Sequence, residues 1–356
     1  MNIAVIFGGE STEHDVSILT GLSVMKNLSE KYTIIPIYIA RNGTFLTGVN
    51  LKQNKTFEDE VRGKICYFMP NDGYLYIKNR LKTQKVPITC AVLCLHGGIG
   101  EGGGVQGLLD VAKIPYTSCS SFVSGLCMNK ALTKLVASVI NIPTLPFVSG
   151  NDDIMLKFHE SKLDFPVIVK PNSGGSSIGI SIAHNEAELN SALNLAMEFD
   201  SQVLIEPALS NFRELSVAAL VGDKIEFSNI EEVVCQNLYN FENKYENNLV
   251  KRIVPAKISE DTVAKIRGIV SNFCNITHIF GCVRFDFLLA DQIYLNEVNT
   301  IPGNMAFYLW DFSYTHLLNL LIENAIKRQE KQKSIKKSIK TNLLKNLEKI
   351  QKITKK

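Results

Sequence analysis

A chain of 356 residues with 46% hydrophobic and 21% charged side chains has the make-up of a globular protein of two or three domains, not of a fibrous or disordered one. The net charge of +3 is uneven. Residues 327 to 356 hold twelve Lys or Arg against two acids, a charge of +10, which leaves 26 bases and 33 acids, or −7, for the rest. An acidic body argues against a nucleic-acid surface and leaves the tail as the polybasic element. No apolar run reaches the length of a membrane span. The start MNIAVIFGGE lacks the basic segment and cleavage site of a secretion signal. Eight scattered cysteines without a CxxC pair indicate a reduced, cytoplasmic protein with buried thiols.

Residues 1 to 125 read as a parallel α/β domain. Strand-like runs at 3 to 7, 34 to 39 and 91 to 95 are separated by helical spacing such as that of residues 16 to 28. Two of these strands end in glycine-rich turns, GGEST and HGGIGEGGG, and open sheets bind ligands at the carboxyl ends of their strands. Glu13, at the start of a helix, serves either as a carboxylate facing the helix dipole beside capping Ser11 and Thr12, or as a ligand for a substrate ammonium. His14 and His96 are expected to be hydrogen-bonded structural residues.

From residue 126 to 212 the chain reads as a helix led by Asn129 and Lys130, a strand at 166 to 171, a glycine-serine loop, a helix at 186 to 199 and a strand at 202 to 207. In VIVKPNSGGSSIGIS, Lys170 ends a strand, glycines let backbone amides face phosphate oxygens, and Ser176 and Ser177 add donors. The lysine precedes the glycines, so this is a phosphate cradle of a kind other than the P-loop, or else a plain turn. Lys130 is a second cation able to reach the same phosphates, or a solvated lysine. Glu206 and Glu214 flank a short connection, where a carboxylate suits a ribose hydroxyl and the backbone at Leu209 suits adenine.

Residues 213 to 326 carry the most informative stretch, CVRFDFLLADQIYLNEVNTIPGNM. Two strands joined by a turn at residues 290 to 292 place Arg284 and Asp286 on one face, with Glu297 and Asn299 together on the partner. Clustered carboxylates repel unless a hard cation lies between them, so magnesium is expected here, against the alternative of a solvated hairpin. Paired strands at 214 to 220 and 224 to 230 precede a polar stretch, 231 to 252, expected to be a loop that orders over a ligand. Helices are expected at 259 to 275 and 314 to 325. In the tail, 327 to 356, Ile335, Ile339, Leu343, Leu347 and Ile350 recur at helical spacing among the bases. The pattern reads as an amphipathic helix, suited to an anionic membrane or acidic partner, or as a solvated extension.

Taken in order, GGESTEHDVS, HGGIGEGGGVQG, IPYT, KPNSGGSSIG, Lys244-Tyr245, and RFDF followed by NEVNTIPG resemble the D-alanine:D-alanine ligases of the ATP-grasp superfamily, collinearly from residue 1 to about 326. The resemblance implies an N-terminal parallel α/β domain followed by a two-part ATP-grasp fold, with a central nucleotide lid at 126 to 212 and a metal and substrate subdomain at 213 to 326. It implies an ATP-dependent ligation through an acyl phosphate, for peptidoglycan precursors, by a homodimer. Asp286, Glu297 and Asn299 then match the ligands of two Mg2+ ions (Mn2+ as an alternative), and Lys130, Lys170 and Ser177 match groups on the nucleotide phosphates. Glu206, Leu209 and Glu214 fall where the family holds adenine and ribose. Glu13 matches the group on the first amino acid's ammonium, and Arg284 with the Gly303 backbone supports the tetrahedral intermediate. Ser176 and Tyr245 match a hydroxyl pair linked to Glu13. Lys244 lies beside the acceptor's carboxylate and the γ-phosphate.

Three departures stand out. Gly102 replaces an Asp, Pro207 replaces a charged residue, and Tyr308 stands where the family has a serine that holds the acceptor's carboxylate, with Leu309 kept. A phenol could still donate there but fills more space. A ligase with a different acceptor, such as D-serine or D-lactate, is therefore a second expectation. A nucleotide-binding module without catalysis is a third, and the intact carboxylates argue against it.

Overall fold

The computed structural model describes residues 1–57, 61–234, 251–336 and 338–341. Lys244, Tyr245, Cys235, Leu343, Leu347 and Ile350 lie outside the described residues. The first apolar run forms β1 (Asn2–Gly8), which leads through α1 (His14–Asn27) to its parallel neighbour β2 (Thr33–Ile39). The helix lies close because Gly21 has no side chain: a Cβ there would sit 2.6 Å from the Phe7 ring. Next come β3 (Phe45–Thr47), β4 (Lys64–Phe68), β5 (Tyr74–Lys78) and β6 (Thr83–Pro87), an antiparallel extension that the sequence reading lacked. The fourth of these, TQKVP, has no buried residue, so no period-2 apolar signal marked it. β7 (Cys90–Leu93) returns to pair with β1 in parallel, completing a seven-stranded sheet.

Four helices follow: α2 (Gly98–Glu101), α3 (Gly104–Ala112), α4 (Ser121–Met128) and α5 (Lys130–Val139). Ser120 and Asn129 cap the last two by accepting from the Val123 and Leu132 amides, which satisfies donors that a helix start leaves open. A second sheet contains β8 (Val148–Gly150), β9 (Val167–Pro171), β10 (Ser181–Ala183) and β11 (Val203–Pro207), all antiparallel to their neighbours, backed by α6 (Ile154–Glu160) and α7 (Glu186–Met197). A third sheet orders its strands β14 (Lys251–Ile253), β13 (Ile225–Val234), β12 (Arg213–Val221), β15 (Gly281–Leu289), β16 (Ile293–Asn299). The helix α8 (Glu260–Thr277), capped by Ser259, packs on it. Phe285 is fully buried there with its ring 5.8 Å from that of Phe273, so truncation to Ala would cost about 3–5 kcal/mol.

The last helix, α9 (Tyr314–Lys333), places Leu317, Leu318, Leu321 and Ile322 in the same core cluster as β1 and β7. It runs eight residues beyond the end expected from apolar spacing. Its extension is held by Arg328, which donates to the Tyr116 and Ser118 carbonyls at 3.0 Å and lies 3.9 Å from the Phe280 ring centre. Past Lys333 the described residues are not helical, and Ile335 and Ile339 are exposed. The amphipathic helix expected from Ile335 onward is therefore corrected over the described residues 334–336 and 338–341, and the remainder lies outside the described residues. The described cysteines are buried, free thiols, and no helix among the described residues is long and apolar enough to cross a membrane.

Candidate active site

β1 and β7 are neighbours in the sheet, so the turns that leave their carboxyl ends lie side by side. There Gly97, in the left-handed region at φ +62°, comes so near Glu13 that a Cβ would lie 2.8 Å from its carboxylate. From the other side the glycine-serine loop after β9 closes on the same carboxylate. A Cβ at Gly175 would collide with Glu13, and Ser176, itself left-handed at φ +51°, donates its hydroxyl to Glu13 Oε1. Glu13 makes no capping bond of its own to α1, while the Ser11 hydroxyl accepts from the Glu13 amide at 3.0 Å. His14 is buried against the Gly9 carbonyl (2.6 Å) and the Tyr38 hydroxyl (3.0 Å), as expected of a structural histidine. His96 is buried 2.8 Å from the Thr20 hydroxyl, but it also lines the cavity beside Glu13.

Two cavities meet at this loop. One, of about 590 Å3, runs between the second and third sheets, past Leu209, Glu214 and an apolar slot of Ile168, Ile182 and Leu288. The other, of about 320 Å3, lies against Glu13, Asn299, Gly303 and Tyr308. Lys130, Ser176, Arg252, Arg284 and Glu297 line both, so the seam carries cations, a hydroxyl and a carboxylate.

At the seam the carboxylate hairpin brings together the two faces expected from the alternation, with Arg284 opposite Asn299 and Asp286 opposite Glu297. A bulge at Asn296 then shifts the pairing. Asp286 is surrounded by donors. Arg284 grips it in a fork of two 2.7 Å bonds, Ser216 donates at 2.7 Å and the Asn299 amide at 2.8 Å. Burial opposes the charge on Arg284, but Asp286 outweighs it and holds the guanidinium well above its usual range. The Asn299 amide reaches Glu297 as well, at 3.4 Å, and Lys130 lies 4.0 Å from Glu297. No group of three or more His, Cys, Asp or Glu placed to hold a metal occurs among the described residues. The donor set is two facing carboxylates and an amide whose oxygen and nitrogen exchange by a simple flip. Like charges opposite each other need a cation between them, and Arg284 with the Asn299 amide now answers that need. These residues fit a hard divalent cation.

Lys170 donates to Glu206 at 2.6 Å, and Lys134 pairs with the same carboxylate from α5. Burial alone would raise the Glu206 carboxyl, but the two ammonium groups outweigh it and hold it down at about 2. Glu206 is fully buried and does not line the cavity. Its expected contact with a ribose is thus corrected: the carboxylate steers Lys170, whereas Glu214 and Leu209 do face the cavity.

Sequence reasoning missed four groups. Glu101, buried, accepts from the Gly97 amide at 2.9 Å and the Ile301 amide at 3.1 Å, joining the first domain to the segment after β16. Burial, aided by Glu13, pushes its carboxyl up to about 7. Ser216 had only its place in an apolar strand to announce it. Glu231 and Arg252 were absorbed into an expected loop, but both lie on strands, β13 and β14. They engage Tyr308, whose hydroxyl donates to Glu231 at 2.6 Å and accepts from Arg252 at 2.7 Å. The phenol expected to offer its proton to a ligand is therefore already committed.

The family model described as D-ala D-ala ligase N-terminus matches residues 2–119, and the one described as D-ala D-ala ligase C-terminus matches residues 140–317. The chain belongs to the D-alanine–D-alanine ligase family. Like the rest of that family it is an ATP-grasp ligase, and its mixed α/β architecture is that of the family. The D-alanine–D-alanine ligase of Thermosipho melanesiensis is 35% identical over 350 residues, 94% of this chain and 96% of that protein. Among solved structures, the D-alanine–D-alanine ligase from Bacillus anthracis complexed with ATP is 26% identical, with a TM-score of 0.70 over 93% of this chain and 99% of that one. The D-Ala:D-Ser ligase from Enterococcus faecalis is 27% identical, with a TM-score of 0.79 over 91% and 99%.

Proposed function

We propose that the protein joins two D-alanines at the cost of ATP for the cell-wall peptide precursor, in the cytoplasm and as a homodimer. The junction of the two cavities at Lys130, Arg284 and Glu297 carries this reading, because it lets a nucleotide in one cavity meet a carboxylate in the other. Adenine and ribose belong at Leu209 and Glu214, with the phosphates on Lys130, Lys170 and the Ser177 loop. Asp286, Glu297 and Asn299 would hold two Mg2+ ions, or Mn2+ in their place, and the metal would neutralise charge on the phosphates.

Glu13, fixed by Ser176, takes the first D-alanine's ammonium and aims its carboxylate at the seam. One carboxylate oxygen attacks the γ-phosphorus, the bond to the β-phosphate oxygen breaks, and ADP leaves with that electron pair. The second D-alanine's amine then attacks the acyl carbon. Arg284 and the Gly303 amide stabilise the resulting oxyanion, phosphate departs and the nitrogen loses a proton. Lys244 and Tyr245 are assigned to the closing side of the site on the family resemblance. The domain division at residues 125, 212 and 326, and an anionic-surface contact by the tail, belong to the same proposal.

A different acceptor is the second reading, favoured by the engaged Tyr308. Incubation with ATP, Mg2+ and D-alanine, alone and with D-serine or D-lactate, followed by mass analysis, tests both. D-alanyl-D-alanine as the main product supports the first, a mixed product the second. ADP formation without any ligated product would refute both.

A further inference from the structure

Gly303 stands in a short segment that is pinned on both sides. Before it, the Ile301 amide donates to Glu101 Oε1 at 3.1 Å; after it, the Asn304 amide donates to the Thr20 hydroxyl at 3.3 Å. Pro302, between them, has no N–H to anchor. Glu101 ends α2 and Thr20 lies on α1, 200 and 284 residues away from their partners in sequence. Each is itself fixed. Glu101 Oε2 accepts from the Gly97 amide at 2.9 Å, and the Thr20 hydroxyl shares a 2.8 Å hydrogen bond with His96 Nε2. The segment needs such support. Asn304, Met305 and Ala306 follow one another in the left-handed region, at φ +48°, +54° and +48°, which residues with side chains adopt only at a cost. Gly303 itself is open on one side: a Cβ there would meet no atom within 4 Å, and the residue lines the cavity of Glu13.

We propose that Glu101 and Thr20 are positioning residues that aim the Gly303 amide at the reacting carbonyl. The proposal rests on the ligase reading above, in which that amide faces the oxyanion. Glu101 has the wider reach of the two, because the Gly97 turn it holds also abuts Glu13. One carboxylate thus sets the spacing between the group that takes the first amino acid's ammonium and the backbone that takes its carbonyl oxygen. A donor aimed in advance at the place where charge develops counts in the transition state and little in the ground state. Both side chains are buried, so removing either acceptor leaves its amide without that partner.

The test measures steady-state ligation of D-alanine with ATP by wild type, Thr20→Val, Thr20→Ser and Glu101→Gln. Beside it stands the affinity, with ADP present, for a D-alanyl-D-alanine analogue carrying a tetrahedral phosphinate where the peptide carbonyl stands. Thr20→Val keeps the shape and removes the acceptor, while Glu101→Gln turns one of two acceptor oxygens into a donor. Misplacing an aimed group predicts about a tenfold to hundredfold fall in kcat for Thr20→Val, and about a threefold to tenfold fall for Glu101→Gln. The KM for ATP should stay within about twofold, phosphinate affinity should fall with kcat, and Thr20→Ser should restore both. Phosphinate affinity that holds while kcat falls would overturn the proposal, as would a matching rise in the KM for ATP. Wild-type kcat in both Thr20→Val and Glu101→Gln would overturn it too. Should far-UV dichroism show Thr20→Val unfolded, Glu101→Gln decides by the same comparison of kcat with phosphinate affinity. Wild-type protein that forms no dipeptide would refute the ligase reading itself.

Discussion

The Lys170 side and the Tyr308 side of the site are built in opposite ways. On the first, Lys170, Ser176 and Ser177 fall within eight residues, and the carboxylates stand on one hairpin, so local spacing already fixes their neighbours. The second assembles Glu231, Arg252 and Tyr308 from positions 21 to 77 residues apart, on three separate elements. Compact motifs hold the first, while the second exists only once the fold brings distant elements together.

The largest effects should come from the compact side. Asp286→Asn and Glu297→Gln should each lower turnover by at least about 100-fold with an unchanged far-UV dichroism spectrum, because a lost oxygen ligand leaves charge on the phosphates unopposed. Phosphate release near the wild-type rate in either variant would remove the hairpin from the metal site.

Glu206→Gln probes the support beneath Lys170. It leaves Lys134, 2% exposed at its side chain, without the carboxylate it pairs with, and breaking such a buried pair costs about 3–5 kcal/mol. A urea denaturation midpoint close to that of wild type would contradict the pairing. The sign with pH follows: the folded-state carboxyl is depressed to about 2 from its ordinary 4.5, so its contribution is present above about 4.5 and is lost as pH falls toward 2.

Why Glu206 was misread shows the limit of local pattern. Its strand, its proline neighbour and its distance to Glu214 were all visible, but the two lysines that bury it come from 36 and 72 residues away in sequence, and no periodicity reports such a pairing. The same holds for Glu101 and for the four-strand extension of the first sheet. By contrast, the parallel β1–β2–β7 core and the shared faces of the carboxylate hairpin followed from short-range spacing, and the Ser176–Glu13 link from the family resemblance. α9 ran past its apolar stripe because Arg328 anchors it by stacking, a contact invisible to hydropathy.

Glu101 sharpens the contrast from the join between the two sides. Its carboxyl is raised to about 7 by burial, so the folded state favours the protonated form. That stabilisation is complete below about pH 4.5 and is lost as pH rises through 7. Wild type should therefore lose thermal stability relative to Glu101→Gln between pH 4.5 and 7, and parallel Tm curves would show the group is not perturbed.

The smallest effect belongs to the tail. Truncation after Lys333, which keeps Arg328 in place, should leave ligation within about twofold of wild type and abolish any salt-sensitive binding to anionic vesicles. A large loss of activity would place the tail in the site.

The central claim is that the two cavities exist so that a substrate carboxylate is phosphorylated where they meet. D-Alanine carrying 18O in both carboxylate oxygens tests it directly. One labelled oxygen should appear in the inorganic phosphate for each dipeptide formed, with ADP as the nucleotide product. Phosphate free of label would contradict the account.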